Sequence, residues 1–212
     1  MDRINWCKEN EHRDWGSVVF SDETVVCTSD HGVVIVRRPK GTGFDEKYVA
    51  EMTRSGRISI ACWGMMWREG LLDLVLVPTT LNGPKYRDLI LDKHVKPFMH
   101  DHPDLIFQQD NASIHRCKVV NTYLEETNIE PLLWPSKSPD LNIIENVWDL
   151  LKDEIGPINH ITNEVILWYV VKNAWEELKT SEKYRDYVAN LYASMPSRCR
   201  ATIENDRGLT KY

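Results

Sequence analysis

The stretch 105–115, LIFQQDNASIH, bears most directly on the fold, because an apolar run ends there on an acidic residue. Residues 105–107 are typical of a buried strand, and Asp110 follows them with Asn111 beside it. Asp-Asn is common turn chemistry, so the pair could simply close the strand. A carboxylate at the end of a rigid strand could instead hold a metal ion. The rest of the sequence has to discriminate between a turn and a site.

Length, composition and charge indicate a globular protein of one large domain, or of a domain with an appendage. The chain has 212 residues, 42% of them hydrophobic and 27% charged, and no apolar run approaches the ~18 residues of a membrane span. The N-terminus is too polar for a signal peptide. Five scattered cysteines without a C-x-x-C pair are typical of free thiols in a reducing compartment. The net charge of -6 argues against a nucleic-acid coat protein, but not against a DNA-processing enzyme rich in active-site carboxylates.

The hydrophobic pattern predicts a mixed sheet flanked by helices. Segment 24–57 contains the proline and glycine residues typical of loops, and only one convincing strand pair. We therefore interpret it as an insertion in that sheet. Residues 160–212 are expected to form C-terminal helices and a tail. The predicted strands cover residues 17–20, 33–36, 58–63, 72–77, 105–109 and 130–134, with a hairpin turn at Glu69-Gly70. The predicted helices cover residues 82–98, 115–126, 142–155, 161–178 and 182–193.

Three carboxylates fall at the predicted ends of these elements. Asp22 closes the first strand, Asp110 closes a later strand, and Glu145 lies in the opening turn of a helix. Hard divalent ions prefer oxygen ligands, and two ions about 3.5–4 Å apart support phosphodiester chemistry without a side-chain nucleophile. No nucleophile elbow and no phosphate-binding glycine loop is visible in the sequence. The three acids are therefore candidate metal ligands.

Each of these residues also has a simpler structural explanation. Asn142 and Glu145 have the spacing of a capping box, which would only close a helix N-terminus. Asp22 could be a turn residue, with Glu23 just as eligible. His115 is better explained as packing on the strand end than as a metal ligand. Judged by spacing alone, these explanations are favoured over a site.

Several stretches together resemble the catalytic domain of mariner-superfamily DNA transposases, the DDE/D cut-and-paste type. Thirty-four residues lie between Asp110 and Glu145, which is the spacing of the glutamate-bearing branch of that superfamily. The C-terminal residues 194–212 are similar to the usual ending of the family. The stretches that carry the likeness are VVFSDET (18–24), ACWGMMWREG (61–70), FQQDNASIH (107–115) and LLWPSKSPDLNIIENVWDLLK (132–152).

The resemblance implies an RNase H-like fold with a mixed five-stranded sheet flanked by helices. It implies that Asp22, Asp110 and Glu145 are catalytic and bind Mg²⁺ or Mn²⁺, as two ions. The insertion 24–57 would be a clamp-like loop that reaches the partner protomer of a homodimer on paired DNA ends. Candidate contacts to DNA or to the partner are Arg37, Arg38, Lys40, Asn111, His115 and Asn142.

The activity implied is metal-dependent hydrolysis and strand transfer of double-stranded transposon DNA into TA targets, in the nucleus of a eukaryote or otherwise inside the cell. Ile143 stands where relatives usually have proline, which we expect to loosen the placement of Glu145 modestly. The family's two N-terminal helix-turn-helix modules have no room before Trp15, so we expect an excised catalytic fragment or a gene that has lost them. The alternatives are a catalytically silent DNA- or protein-interaction module and a host nuclease of the same fold.

Overall fold

A computed structural model describes residues 2–28, 58–158, 160–205, 210 and 212. None of the helices in this part of the chain combines the length and apolar character needed to cross a membrane. The strands are β1 (Val18–Cys27), β2 (Ser59–Trp67), β3 (Gly70–Val77) and β4 (Ile106–Phe107). The helices are α1 (Arg3–Asn10), α2 (Gly83–Tyr86), a π-helical stretch (Arg87–Val95), α3 (Lys96–Asp101), α4 (Lys118–Glu126), α5 (Ile144–Ile155), α6 (Glu164–Thr180) and α7 (Glu182–Glu204).

The described strands form one mixed sheet in the order β3-β2-β1-β4. β2 pairs antiparallel with β1 and with β3, whereas β4 is parallel to β1. The predicted hairpin turn between β2 and β3 is confirmed. Gly70 has a φ of 139° there, a left-handed backbone that favours glycine.

Helices cover both faces of the sheet, and alternate residues of β1 point to each side. Phe20 and Val26 pack in the core shared with α1, α5, α6 and α7, whereas Val19 packs in the core shared with α2, α3 and α4. By this alternation, Asp22 lies on the α5 side of the sheet and Glu23 on the α4 side. Two acids that are neighbours in sequence are thus directed to different surroundings.

Helix α5 lies directly against the sheet at Gly64. Gly64 is the β2 partner of Asp22, and a Cβ atom at Gly64 would come within 2.5 Å of Cη2 in the buried Trp148 ring of α5. Trp148 in turn packs on Trp175 of α6, with ring centroids 5.5 Å apart. Because Glu145 precedes Trp148 by one helical turn, the close approach at Gly64 brings Glu145 beside Asp22.

The first strand is longer than predicted, so Asp22 does not close it. β1 continues to Cys27, which places Asp22 in the middle of a strand and excludes the turn explanation for it. Residues 24–27 of the predicted insertion belong to this strand. Residues 29–57, with the strand predicted at 33–36, lie outside the described residues.

A fifth strand was expected, but the described residues contain four. The strand predicted at 130–134 does not form, although the Leu132 amide donates to the Phe107 carbonyl oxygen at 2.7 Å. Pro131 and Pro135 lack the amide hydrogen that a longer ladder would need. Trp134, between these prolines, is only 5% exposed.

Each of the five predicted helical segments is helical in the structure, with shifted ends. α4, α5 and α6 begin two or three residues later than expected, and α7 runs on through Pro196 to Glu204. Helix α1 was not predicted, because its sequence is largely polar. Its signal is Asp2, whose carboxylate accepts from the Asn5 amide and caps a helix that buries Trp6 and Cys7. In the part of the chain that the structure describes, none of the five cysteines is joined in a disulfide.

We expect Gly64→Ala to lower the free energy of unfolding by about 1–3 kcal/mol, because the added methyl group overpacks against Trp148. Trp148→Phe removes the part of the ring that the methyl group meets. The double variant should therefore lose less than the sum of the two single losses, as measured by urea unfolding. Strictly additive losses of unfolding free energy would contradict the contact between Gly64 and Trp148.

Candidate active site

The three candidate acids line one cavity. Asp22, Asp110 and Glu145 share a cleft of about 550 Å³, bounded by β1, the segment after β4, residues 134–139 and the start of α5. Residues that lie 88 and 35 positions apart along the chain are thus brought to one place. Asp110 thus lines a cavity with the two other acids, and its Oδ1 also accepts from the Ala112 amide in a turn.

The carboxyl groups of Asp22 and Glu145 lie close enough together to shift each other's pKa. Burial raises the pKa of Asp22, and the negative charges of Glu145 and Glu23 raise it further. Burial also raises the pKa of Glu145, while a hydrogen bond with Asp22 opposes that rise. Like charges this close disfavour ionisation of both carboxyl groups, so the pair shares one proton at neutral pH.

Asp110 is held differently, because its neighbours are donors. Its Oδ1 accepts from the Ala112 amide at 2.8 Å and from His115 Nδ1 at 2.7 Å. Burial alone would raise the pKa of Asp110, but these hydrogen bonds and the charge of His115 outweigh it and lower the pKa. Asp110 is therefore ionised, while Asp22 and Glu145 hold a proton between them.

His115 joins Asp110 to Glu23. Its Nε2 lies 3.2 Å from Glu23 Oε1, its ring packs 4.4 Å from that of Tyr86, and the residue is 3% exposed. Burial would lower the pKa of His115, but the hydrogen bonds and charges of Asp110 and Glu23 outweigh it and raise the pKa to about 10. The ring is an imidazolium that donates to both carboxylates. This agrees with the packing role that the sequence favoured for His115. Glu23 pairs with His115 and is not part of the Asp22–Glu145 pair.

The capping-box explanation of Glu145 does not hold. Ile143 is the N-cap of α5 and no side chain caps the helix, while the Glu145 amide donates to the backbone oxygen of Asn142 at 3.1 Å. The Asn142 side chain is buried and donates instead to the Ser21 carbonyl oxygen at 3.5 Å. Ile143 is completely buried, so core packing fixes the backbone where relatives use proline.

The loop before α5 is held by both ends of the chain. Asp140 Oδ2 accepts from Arg3 Nη2, and also from the Thr210 amide at 2.9 Å and the Thr210 hydroxyl at 2.8 Å. Arg198 of α7 donates to the Asp140 carbonyl oxygen and to Asn146 Oδ1, each at 2.7 Å. The loop that leads to Glu145 is therefore fixed from α1, from α7 and from the C-terminal tail.

Sequence reasoning missed this network. Arg198 is only 2% exposed, although arginine is rarely buried so completely. The pairing of residues 3, 140 and 198 leaves no local signal, because the partners come from distant parts of the chain. The one hint was Asp140 itself, an acid that directly follows Pro139 in a stretch with two prolines.

The predicted DNA or partner contacts have different outcomes. Asn111 lines the cavity, and its amide donates to the Trp134 carbonyl oxygen. Asn142 lines the cavity from a buried position, and His115 has a carboxylate at each ring nitrogen. The remaining candidates lie outside the described residues: Arg37, Arg38 and Lys40.

The donor set suits a hard cation, although the side chains are not yet arranged around one point. Among the described residues, no group of three or more His, Cys, Asp or Glu side chains is placed to hold a metal ion as it stands. Asp22 and Glu145 lie close together, whereas both hydrogen bonds of Asp110 draw its Oδ1 to Ala112 and His115. An ion bound by all three acids requires Asp110 to present an oxygen to the pair. The donors are all carboxylate oxygens, as Mg²⁺ prefers.

Residues 17–164, more than half of the chain, match the family model described as DDE superfamily endonuclease. The chain belongs to this family. Over 218 residues it is 28% identical to the Tc1 transposase of Caenorhabditis elegans, covering 100% of this chain and 77% of that protein. The predicted likeness to mariner-superfamily transposases is confirmed.

Two solved structures share the fold. The Mos1 strand transfer complex matches 96% of this chain with a TM-score of 0.73 and 18% identity. The Mos1 transposase catalytic domain with raltegravir and Mg matches 99% of this chain, and 94% of that domain, with a TM-score of 0.65 and 16% identity. These matches confirm the RNase H-like fold. The chain spans 60% of the length of the Mos1 chain in the strand transfer complex.

We expect Asp140→Asn to destabilise the fold by about 1.5–3 kcal/mol, because charge-assisted hydrogen bonds from Arg3 and Thr210 are lost. Burial would raise the pKa of Asp140, but these hydrogen bonds outweigh it and lower the pKa. The stabilisation is therefore complete above the ordinary carboxyl pKa of about 4 and is lost as the pH falls through the lowered value. Urea unfolding at pH 7 and in acid should show the wild type and the variant converging in acid.

The matched control is Arg200→Gln, which breaks the pair of Arg200 with Glu11, 3.1 Å apart at the surface. That change should cost at most about 1 kcal/mol. If Asp140→Asn and Arg200→Gln lowered the free energy of unfolding equally, the buried network would stabilise the fold no more than the surface ion pair does.

Proposed function

We propose that this chain is the catalytic domain of a DNA transposase that hydrolyses and transfers phosphodiester bonds with divalent metal ions. The observation that carries the proposal is the cavity in which Asp22 and Glu145 lie close together while an ionised Asp110 lies nearby. The relatives' names support the same reaction class, since one is a transposase and another is a strand transfer complex. The substrate is double-stranded DNA, cut at transposon ends and joined to TA targets.

Asp22, Asp110 and Glu145 would hold the metal. Bound Mg²⁺ or Mn²⁺, in our proposal two ions, would activate the attacking oxygen and stabilise the leaving oxygen. The arrangement favours a cation because Asp22 and Glu145 repel each other unless a positive charge, now a proton, lies between them.

Residues in and beside the cavity orient these acids. The His115 imidazolium fixes Asp110 through Oδ1 at 2.7 Å, and Glu23 at 3.2 Å keeps the ring in place. Asn111 ties the segment after Asp110 to Trp134, so the two walls keep their spacing. Rigid support matters, because a displacement of about 1 Å can cost 100-fold in rate.

The assembly and location of the reaction are part of the proposal. A homodimer would bring two such sites to paired DNA ends, and with DNA as substrate the reaction would take place in the nucleus of a eukaryotic cell. The silent interaction module gains no support from the site. A protein that only binds partners has no need for two half-buried acids that repel each other.

We expect Asp110→Asn to reduce cleavage of labelled duplex DNA with Mn²⁺ by at least about 100-fold, since even residues that support a metal ligand contribute 10–100-fold. The control is Asp104→Asn, which changes an exposed acid six residues earlier and should leave the rate unchanged. Gel analysis of the products measures both. Equal cleavage by the wild type and by Asp110→Asn would remove the assignment.

A further inference from the structure

The candidate active site combines many negative charges with a strongly negative substrate. Four carboxylates line the cavity: Asp22, Glu23, Asp110 and Glu145. Duplex DNA carries about one negative charge per 1.7 Å of its axis, so it approaches such a cavity only if cations at the entrance contact its phosphates. Among the described residues that line the cavity, the basic ones are Arg116 and Lys137.

We propose that Arg116 and Lys137 form a two-point phosphate clamp at the mouth of this cavity. The clamp would hold the DNA backbone beside the three acids, one cation from the segment after Asp110 and one from the loop before α5. The inference rests on the proposed function, which supplies DNA as the ligand, and it assigns two residues that the sequence did not single out.

Lys137 is held in an unusual backbone conformation. Its φ is 56°, in the left-handed region that a residue with a side chain rarely adopts. Such conformations persist where the surroundings fix them, and they cluster at functional sites. Here the Lys137 carbonyl oxygen accepts from Arg3 Nη1 at 3.4 Å, and the following Asp140 is fixed by Arg3, Arg198 and Thr210. These hydrogen bonds therefore fix the backbone position from which the exposed Lys137 side chain extends.

Arg116 is placed by the turn that carries His115. Its amide donates to the Ala112 carbonyl oxygen at 3.3 Å, and its carbonyl oxygen accepts from Asn121 Nδ2 at 3.3 Å. The residue itself is exposed. Arg116 lines the same cavity as Asp110. Arg116 thus lies next to the acid whose ligand role is proposed, while its backbone is fixed.

Both cations remain available for a phosphate. In the described part of the chain, neither side chain takes part in an ion pair. An arginine can bind a phosphate through two parallel hydrogen bonds, and a lysine binds it as a point charge. Two such contacts on separate segments fix the direction of the strand across the cavity, which a single cation cannot do.

The test measures binding of a fluorescent 30-base-pair duplex in EDTA, where no cleavage occurs, over a range of KCl concentrations. Each phosphate contact contributes about 0.9 to the slope of log K against log salt. Lys137→Gly removes the amine and keeps a residue that adopts positive φ easily, and Arg116→Gln removes the guanidinium charge. Each variant should reduce the slope by about 0.9, and the double variant by about 1.8. The loss should be the same for duplexes of unrelated sequence.

Two control variants define the result. Lys137→Arg keeps the charge and should keep the wild-type slope. Lys118→Gln removes an exposed cation two residues after Arg116 that does not line the cavity, and it should leave the slope unchanged. The proposal would be overturned if both clamp variants kept the wild-type slope. It would also be overturned if Lys118→Gln reduced the slope as much as the clamp variants do.

Failure of the clamp and failure of the proposed function give different results. If the wild type cuts DNA with Mn²⁺ and Asp110→Asn does not, but the clamp variants bind with wild-type slopes, then the clamp alone is wrong. If the clamp variants lose slope but the wild type and Asp110→Asn cut equally, then the assignment of the acids is wrong. Thermal unfolding checks that all variants are folded, and both substituted side chains are exposed.

Discussion

The approach of Trp148 to Gly64 is the contact on which the rest of the site depends. It sets the distance between α5 and the sheet at the β2 residue that pairs with Asp22. Glu145 lies one turn before Trp148, so the same contact brings two acids together although like charges repel each other. The free energy for this arrangement comes from the packing of α5, α6 and α7 on one face of the sheet. The acid pair is therefore a consequence of the core, and not of any attraction between its members.

The three acids are tuned in different ways, and this difference gives the cavity its chemistry. Asp22 and Glu145 lie in surroundings that raise the pKa of each, whereas donors around Asp110 lower its pKa. One side of the cavity thus holds a proton that a cation could replace, and the other presents a fixed negative charge. His115 connects this arrangement to the opposite face of the sheet through Glu23. The alternating directions of residues along β1 make both connections possible from two neighbouring acids.

Much of the fold and the identity of the three acids could be predicted from the sequence, because hydrophobic periodicity and turn residues are local signals. They predicted the β2–β3 hairpin and the helices from α4 to α7, and the resemblance brought Asp22, Asp110 and Glu145 together as a group. The strand predicted at 130–134 failed because Pro131 and Pro135 remove ladder donors, which the apolar pattern alone does not reveal.

Other features depend on contacts between distant parts of the chain. The length of β1 placed Asp22 inside a strand, where its direction follows from register and not from a turn. The sequence also did not reveal the network of Arg3, Asp140 and Arg198, or the contact of Glu23 with His115. Each of these contacts joins residues that no local sequence pattern relates. The sequence could identify the acids, but only the packing of α5 and the hold on its preceding loop explain how they meet.

The most direct test is a crystal of the protein soaked in Mn²⁺ and measured at a wavelength where manganese scatters anomalously. The account predicts anomalous density in the cavity, bonded to Asp22 and Glu145 in place of their shared proton, with a carboxylate oxygen of Asp110 turned towards it. A cavity without such density at saturating Mn²⁺, with Asp22 and Glu145 still hydrogen-bonded to each other, would contradict it.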